Sequence, residues 1–114
     1  MNVRLLIAGT VLLWLLSSGL EPGGNRLAAQ SRETLVTQGR QLFADKGCYG
    51  CHTVGAAGTP IGPDLRRTAS RYPEADLARW LRDPAAQEPT RHMPNLNLSE
   101  AEASGLAAFV VSLR

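Results

Sequence analysis

Three of the four cysteine and histidine side chains in this 114-residue chain fall within five consecutive positions, Cys48-Tyr49-Gly50-Cys51-His52. Two thiols three positions apart, followed directly by an imidazole, concentrate the chain's soft and borderline metal ligands on a single turn. The rest of the sequence has to fold around that turn, and it has little material for the purpose. Setting aside the first 29 residues leaves about 85, a length at which side-chain packing alone builds only a marginal core. Something besides packing should hold such a domain together. Composition narrows the field further. With 12 Lys plus Arg against 10 Asp plus Glu, the net charge of +2 is too nearly balanced for a phosphate-tracking surface, so nucleic acid is not an expected partner. A hydrophobic share of 44% excludes a charge-driven disordered chain.

Much of that apolar content lies near the N-terminus. Leu5 to Leu16 is interrupted only by Gly9 and Thr10, with Arg4 before it and Ser17, Ser18 and Gly19 after it. An apolar core of roughly 12 residues matches the central region of a secretory signal. A membrane span needs about 20, which residues 3–20 approach only with Arg4 at their edge. Two readings stay open: a signal peptide removed after Gly19 or Ala29, or an uncleaved anchor with Arg4 on the cytoplasmic side. Either one exports the remainder, to the periplasm or an equivalent outer face of the cytoplasmic membrane. Glu21 to Gln30, with Pro22, Gly23, Gly24 and Asn25, reads as a flexible tether. The expected division is therefore 1–29, signal or anchor plus tether, and 30–114, the folded domain.

Within that domain the periodicity predicts three helices. The first covers roughly Glu33 to Lys46, with Ser31 as N-cap and Gly47 as stop, and Leu35, Gly39, Leu42 and Phe43 on its inner face. The second runs from about Pro73 to Arg82, burying Leu77, Trp80 and Leu81. The third opens on the capping box Ser99…Glu102, with Leu98 as staple, and repeats Leu106, Phe109, Val110 and Leu113 along one face. No strand alternation of useful length is visible. Two long loops, Val54 to Ser70 and Pro84 to Leu98, remain, and loops of that length in a compact domain usually wrap something.

Cys48-Tyr49-Gly50-Cys51-His52 has the C-x-x-C-H spacing of covalent c-type haem attachment. Thiols about one helical turn apart can add to the two vinyl groups of a single porphyrin, and the following imidazole then lies below the iron. Gly50 offers little bulk where the peptide runs close to the ring. A redox C-x-x-C pair would need βαβ patterning, which is lacking, and a zinc site would need a fourth ligand from His92 or an acid. Met93 is the chain's one methionine besides Met1, and it precedes a proline in a polar loop, a poor place for core packing. Its sulfur can bind iron, and so can the neighbouring imidazole of His92.

The region from about Leu35 to Leu113 resembles the class I cytochrome c family. Gly39 and Phe43 are similar to the small and aromatic pair on that family's first helix, and Leu106 and Phe109 to their partners on its last. Gly62-Pro63-Asp64-Leu65 resembles the family's G-P-x-L segment, and Arg91-His92-Met93-Pro94-Asn95-Leu96 its methionine segment. The run from Trp80 through Asp83-Pro84 to Ser99 is most similar to haem-c domains fused to haem–copper oxidase subunits. The resemblance implies an all-α cytochrome c fold, with three main helices and loops wrapped around one haem c bound through Cys48 and Cys51. It implies His52 and Met93 as axial iron ligands, with the Pro63 carbonyl holding the His52 N–H.

An iron so ligated has both axial positions filled, and the expected function is one-electron transfer rather than catalysis. No acid–base pair or nucleophile constellation is visible elsewhere. The partners would be redox proteins, a donor reductase and an acceptor oxidase or reductase. The alternative is a haem c subunit of a membrane oxidoreductase or terminal oxidase; a gas-binding or peroxidase-like haem would require Met93 to be unbound. Tyr49 is expected to face solvent, and Trp80 to line the core or the haem pocket. Arg66, Arg67 and Arg71 form either a docking or propionate-binding cluster or a solvated face.

Overall fold

The computed structural model describes residues 23–90 and 92–114; the apolar run at 3–20, read as signal or anchor, lies outside them, as does Arg91. Helix α1 spans Gly23–Asp45. A 3-10 turn at Cys48–Gly50 follows, then a hairpin of β1 (Thr53–Val54) and β2 (Ala57–Gly58). Next come α2 (Leu65–Arg71), α3 (Glu74–Arg82), α4 (Pro84–Gln87) and α5 (Glu100–Val111). The three expected helices correspond to α1, α3 and α5, and the all-α class holds.

Helix α1 begins well ahead of Glu33 and takes in part of the expected tether. From Asn25 to Gln38 no glycine or proline interrupts it, and Arg26, Leu27, Ala28, Ala29 and Gln30 are mostly strong helix formers. Ser31, the expected cap, lies inside the helix, and its hydroxyl donates to the Ala28 carbonyl at 2.9 Å. At the other end the stop is as read. Gly47 takes a left-handed φ of 75°, and its N–H reaches the Ala44 carbonyl at 3.2 Å.

The core is the crossing of α1 over α5. A Cβ on Gly39 would overlap the Gly105 carbonyl and come within 2.8 Å of the Phe109 Cβ, so only glycine permits the approach. Phe43 meets Phe109 with ring centroids 5.4 Å apart at 62°, an edge-to-face contact. Leu106 and Phe109 are almost fully buried, as expected of them. Gly105, on the other side of the contact, carries no signal in the sequence beyond being small. Helix α5 packs on α1, α3 and α2 and is buried nearly all round from Ala103 to Val110. Its capping box forms as read, with Ser99 Oγ accepting from the Glu102 N–H at 3.1 Å and Glu102 Oε2 from the Ser99 N–H at 2.9 Å.

The two long loops are shorter than the sequence suggests. Asp64 caps α2, its carboxylate accepting from the Arg66 N–H at 2.9 Å, while Leu65 and Ala69 bury one turn apart. Asp83 caps α4 in the same way through the Ala86 N–H at 3.1 Å, with Pro84 in the first turn. The hairpin pairs Thr53 with Gly58 and Val54 with Ala57. Two residues per strand are too few for alternation to show. Among the described residues, no helix is long and apolar enough to cross a membrane.

Candidate haem site

Gly47 turns the chain out of α1 directly into the cysteine motif. Backbone N–H groups of Gly50, Cys51 and His52 close back on Gly47 and Cys48 at 2.9, 3.2 and 2.9 Å, which sets Cys48, Cys51 and His52 on one tight turn. Both cysteines are free thiols, with Cys51 exposed and Cys48 half-buried. Burial, and then the neighbouring Cys51, push the Cys48 thiol up from its ordinary value. A redox C-x-x-C cysteine needs the opposite shift, towards thiolate. Tyr49, expected to face solvent, turns inward instead, its ring 4.6 Å from Phe43 at 85°. It anchors the motif to the core.

His52 is held from the loop that follows the hairpin. Its Nδ1 lies 2.9 Å from the Pro63 carbonyl oxygen. That oxygen can only accept, so the proton sits on Nδ1 and the Nε2 lone pair is left for a metal. Gly62 lies flat against the ring, where a Cβ would come 2.6 Å from Cε1 and 2.8 Å from Nδ1. Next to it, the Thr53 hydroxyl donates to Asp64 Oδ2 at 2.9 Å. The Arg66 N–H and then the Thr53 hydroxyl hold the Asp64 carboxyl below its ordinary value. Gly58, at φ 104°, passes so close to the His52 carbonyl that any Cβ would overlap it. Sequence reasoning missed Gly58, Gly62 and Asp64 as supports of His52. The clustered glycines were the available signal, but which atoms they approach is not a local property.

Met93 stands on the separate stretch after α4, half-buried, with the Trp80 indole Nε1 donating to its sulfur at 3.4 Å. His92 beside it is exposed. Asn97 takes φ 52°, and its N–H is bound by Asn95 Oδ1 at 2.8 Å, a side-chain turn that redirects the chain into α5. The structure thus brings Cys48, Cys51, His52 and Pro63 into one unit and gives Met93 its own support.

This donor set suits haem c: two unpaired thiols on one turn, an imidazole with Nε2 left over, and open space where a Cβ of Gly50 would point. It does not suit zinc. Among the described residues, no three His, Cys, Asp or Glu side chains converge as a metal cage.

Residues 36–114 match the family model for cytochrome c. Over 91 residues the chain is 37% identical to cytochrome c oxidase subunit 2 of Alkalihalophilus pseudofirmus, a match covering 72% of this chain and 27% of that protein. Over 81 residues it is 28% identical to a nitric oxide reductase subunit of Stutzerimonas stutzeri, covering 66% of this chain and 56% of that one. A second cytochrome c oxidase subunit 2, from Bacillus sp. strain PS3, is 29% identical over 101 residues. The chain therefore spans about a quarter of the oxidase subunits and just over half of the reductase protein. No solved structure matches it at a comparable level. With its family model covering most of the folded region, and the C-x-x-C-H turn within the matched residues, the chain belongs to the cytochrome c family, and its cofactor is haem c attached through Cys48 and Cys51.

Proposed function

We propose that this chain is a monohaem one-electron carrier in an exported respiratory or related chain, and that it has no catalytic activity of its own. The observation that carries this is the His52 Nδ1 to Pro63 carbonyl bond of 2.9 Å beside two free thiols. It supports the tautomer that would offer Nε2 to iron, with His52 as the histidine ligand. The Met93 sulfur, carried on the second loop, would be the second protein ligand to the iron. Haem c held by these residues would supply one-electron redox chemistry. The chain's residues have simpler tasks. Cys48 and Cys51 fasten the porphyrin, Pro63 and Gly62 orient the imidazole, and exposed His92 takes no part in ligation.

Acid–acetone extraction should leave the haem on the polypeptide. Ferric wild type should show the weak red charge-transfer band of a thioether-bound haem, which Met93→Ala loses and His92→Ala keeps. If His92→Ala abolishes the native spectrum and Met93→Ala does not, the site is bis-histidine and this reading fails.

A second reading, a haem c subunit of a membrane oxidoreductase or terminal oxidase, is favoured by the relatives, which are subunits of cytochrome c oxidase and of nitric oxide reductase. Under either reading, residues 1–29 are a signal or an anchor that places residues 30–114 outside the cytoplasm, with anchoring through residues 3–20 in the second. The donor and acceptor are then redox proteins, a reductase and an oxidase or reductase. Intact mass from native membranes decides cleavage. Detergent-dependent extraction with co-purification of a larger haem complex selects the complex-bound form over the shuttle.

A further inference from the structure

Three guanidinium groups line one cavity on the face where α2 meets the end of α5. The cavity measures about 640 Å³, and Val54, Arg66, Arg67, Ser70, Leu113 and Arg114 form its walls. Cys48, Cys51, His52, Pro63 and Met93 are not among them, and no Asp or Glu lines it. Among the described residues the ion pairs join Arg32 with Glu74, Lys46 with Glu102 and Arg79 with Asp76, so the three arginines of the cavity stand outside them. The Asp64 carboxylate feels the charge of Arg66, but its oxygens already accept from the Arg66 and Gly55 N–H groups and the Thr53 hydroxyl. For a chain of net charge +2, this is a marked local gathering of like charge.

Two of the three arginines are held in place by the fold. Arg114 Nε donates to the Ala69 carbonyl at 2.8 Å, which leaves its terminal nitrogens for another acceptor. Arg66 lies across Gly55, where a Cβ would come 2.6 Å from Nη2 and 2.9 Å from Cζ, so the glycine leaves the space that the guanidinium fills. Groups fixed in advance lose less freedom when a ligand binds. The Ser70 hydroxyl donates to the Arg66 carbonyl at 3.2 Å, long for such a bond, and a ligand oxygen can take that carbonyl's place. Val54 and Leu113, both partly buried, supply apolar ground between the charges.

A guanidinium is a planar fork of donors that matches the oxygens of phosphate or carboxylate in pairs. Three forks around one hollow need several anionic oxygens packed close together. A carboxylate brings two oxygens and one charge, and successive carboxylates of a peptide are spread along its backbone. A chain of phosphates carries charge and acceptors at the density required. The volume also falls in the range of about 300–1,000 Å³ usual for small-molecule sites.

We propose that this cavity binds a linear phosphate chain, a di- or triphosphate that is either inorganic or the tail of a nucleotide, between Arg66, Arg67 and Arg114. Its occupancy ties β1 and α2, which flank the support of His52, to the end of α5. The site does not depend on how the haem iron is ligated.

Isothermal titration of the holoprotein with sodium triphosphate, free of divalent cations, should show one saturable site. Arg67 is exposed, so Arg67→Ala leaves the core intact, and it should weaken binding by about tenfold or more, the worth of a charge-assisted hydrogen bond. Arg79→Ala removes the same charge outside the cavity and should bind as wild type does. Equal losses in the two variants would reduce the effect to net charge and overturn the site. Tighter binding of hexaglutamate than of triphosphate would overturn it too, giving the cavity to an acidic protein segment, as would no saturable binding at millimolar triphosphate. ATP separates the two sources. Affinity equal to or below that of triphosphate identifies the inorganic chain, and higher affinity identifies a nucleotide whose base rests on Val54 and Leu113.

Discussion

Between Gly47 and Leu65 the backbone closes on itself repeatedly. The Thr59 and Gly62 N–H groups bond the carbonyls of His52 and Cys51, the hairpin pairs within that span, and Thr53 is tied to Asp64. Between Glu88 and Ser99 there is no helix or strand among the described residues; order comes from the Asn95–Asn97 turn, the burial of Leu98 and the Trp80 contact. The proposed proximal ligand is thus held by a unit assembled from its own sequence neighbourhood, and the proposed distal ligand by groups borrowed from α3 and the core. Local stability follows such differences in hydrogen bonding and packing. The histidine side should be organised before any cofactor arrives, and the methionine side should be the one that opens.

The largest effects should come from the support that both sides share. Phe109→Ala removes a buried ring that faces Phe43, a loss of about 3–5 kcal/mol in a packed core. Gly39→Leu drives a side chain into the Gly105 carbonyl and should be at least as damaging. Thermal melting should fall sharply in both variants; near-wild-type melting would mean that the two sides do not depend on the crossing.

Next in size are paired changes that separate the sides. Gly62→Ala places a methyl group against the His52 ring and should cost about 1–3 kcal/mol, with a disturbed haem spectrum. Met93→Ala should leave the fold's melting closer to wild type while lowering the potential and admitting carbon monoxide. If Met93→Ala unfolds the domain and Gly62→Ala does not, the comparison is inverted. Amide hydrogen exchange sharpens it without mutation: Thr59 and Gly62 should be protected, and residues 92–96 should exchange fast.

The smallest effect is a pH dependence. The carboxyl of Asp64 is held below its ordinary 3.8 in the folded state. It therefore adds stability that is fully present above that value and is lost as pH falls through the lowered one. Urea midpoints of wild type should drop in this acid range, and Asp64→Asn, which keeps a capping oxygen without the charge, should drop less. An identical pH profile in the variant would remove Asp64 from the account.

The attachment turn and the three long helices were legible because each rests on local spacing or on a periodic face, whereas the meeting of Phe43 with Phe109 was legible through family resemblance. Gly105 was not, since being small says nothing about which carbonyl approaches. The extra turns α2 and α4 were hidden inside loops, although Asp64 and Asp83 are ordinary N-caps; runs this short have too few residues for a period to emerge. The Pro63 contact was legible only through family resemblance, as a carbonyl carries no residue-specific signal. The Trp80 bond joins residues 13 apart through atoms that pattern reading takes as apolar. Spacing finds residues that act along the chain, and misses those that act through a neighbour's backbone.

The early start of α1 has a mechanical consequence. The helix contains 23 residues and is about 35 Å long at 1.5 Å per residue. Residues 31–34 are exposed, α5 comes close at the Leu35 carbonyl and at Gly39, and the Arg32–Glu74 ion pair at 2.7 Å braces the helix to α3 just before that point. The turns between Gly23 and Leu35, about 18 Å of them, form a cantilever. A flexible leash would let the domain sample a sphere of orientations; a cantilever transmits angle as well as distance. The helix start at Gly23 is therefore held at a set height and heading relative to the attachment turn.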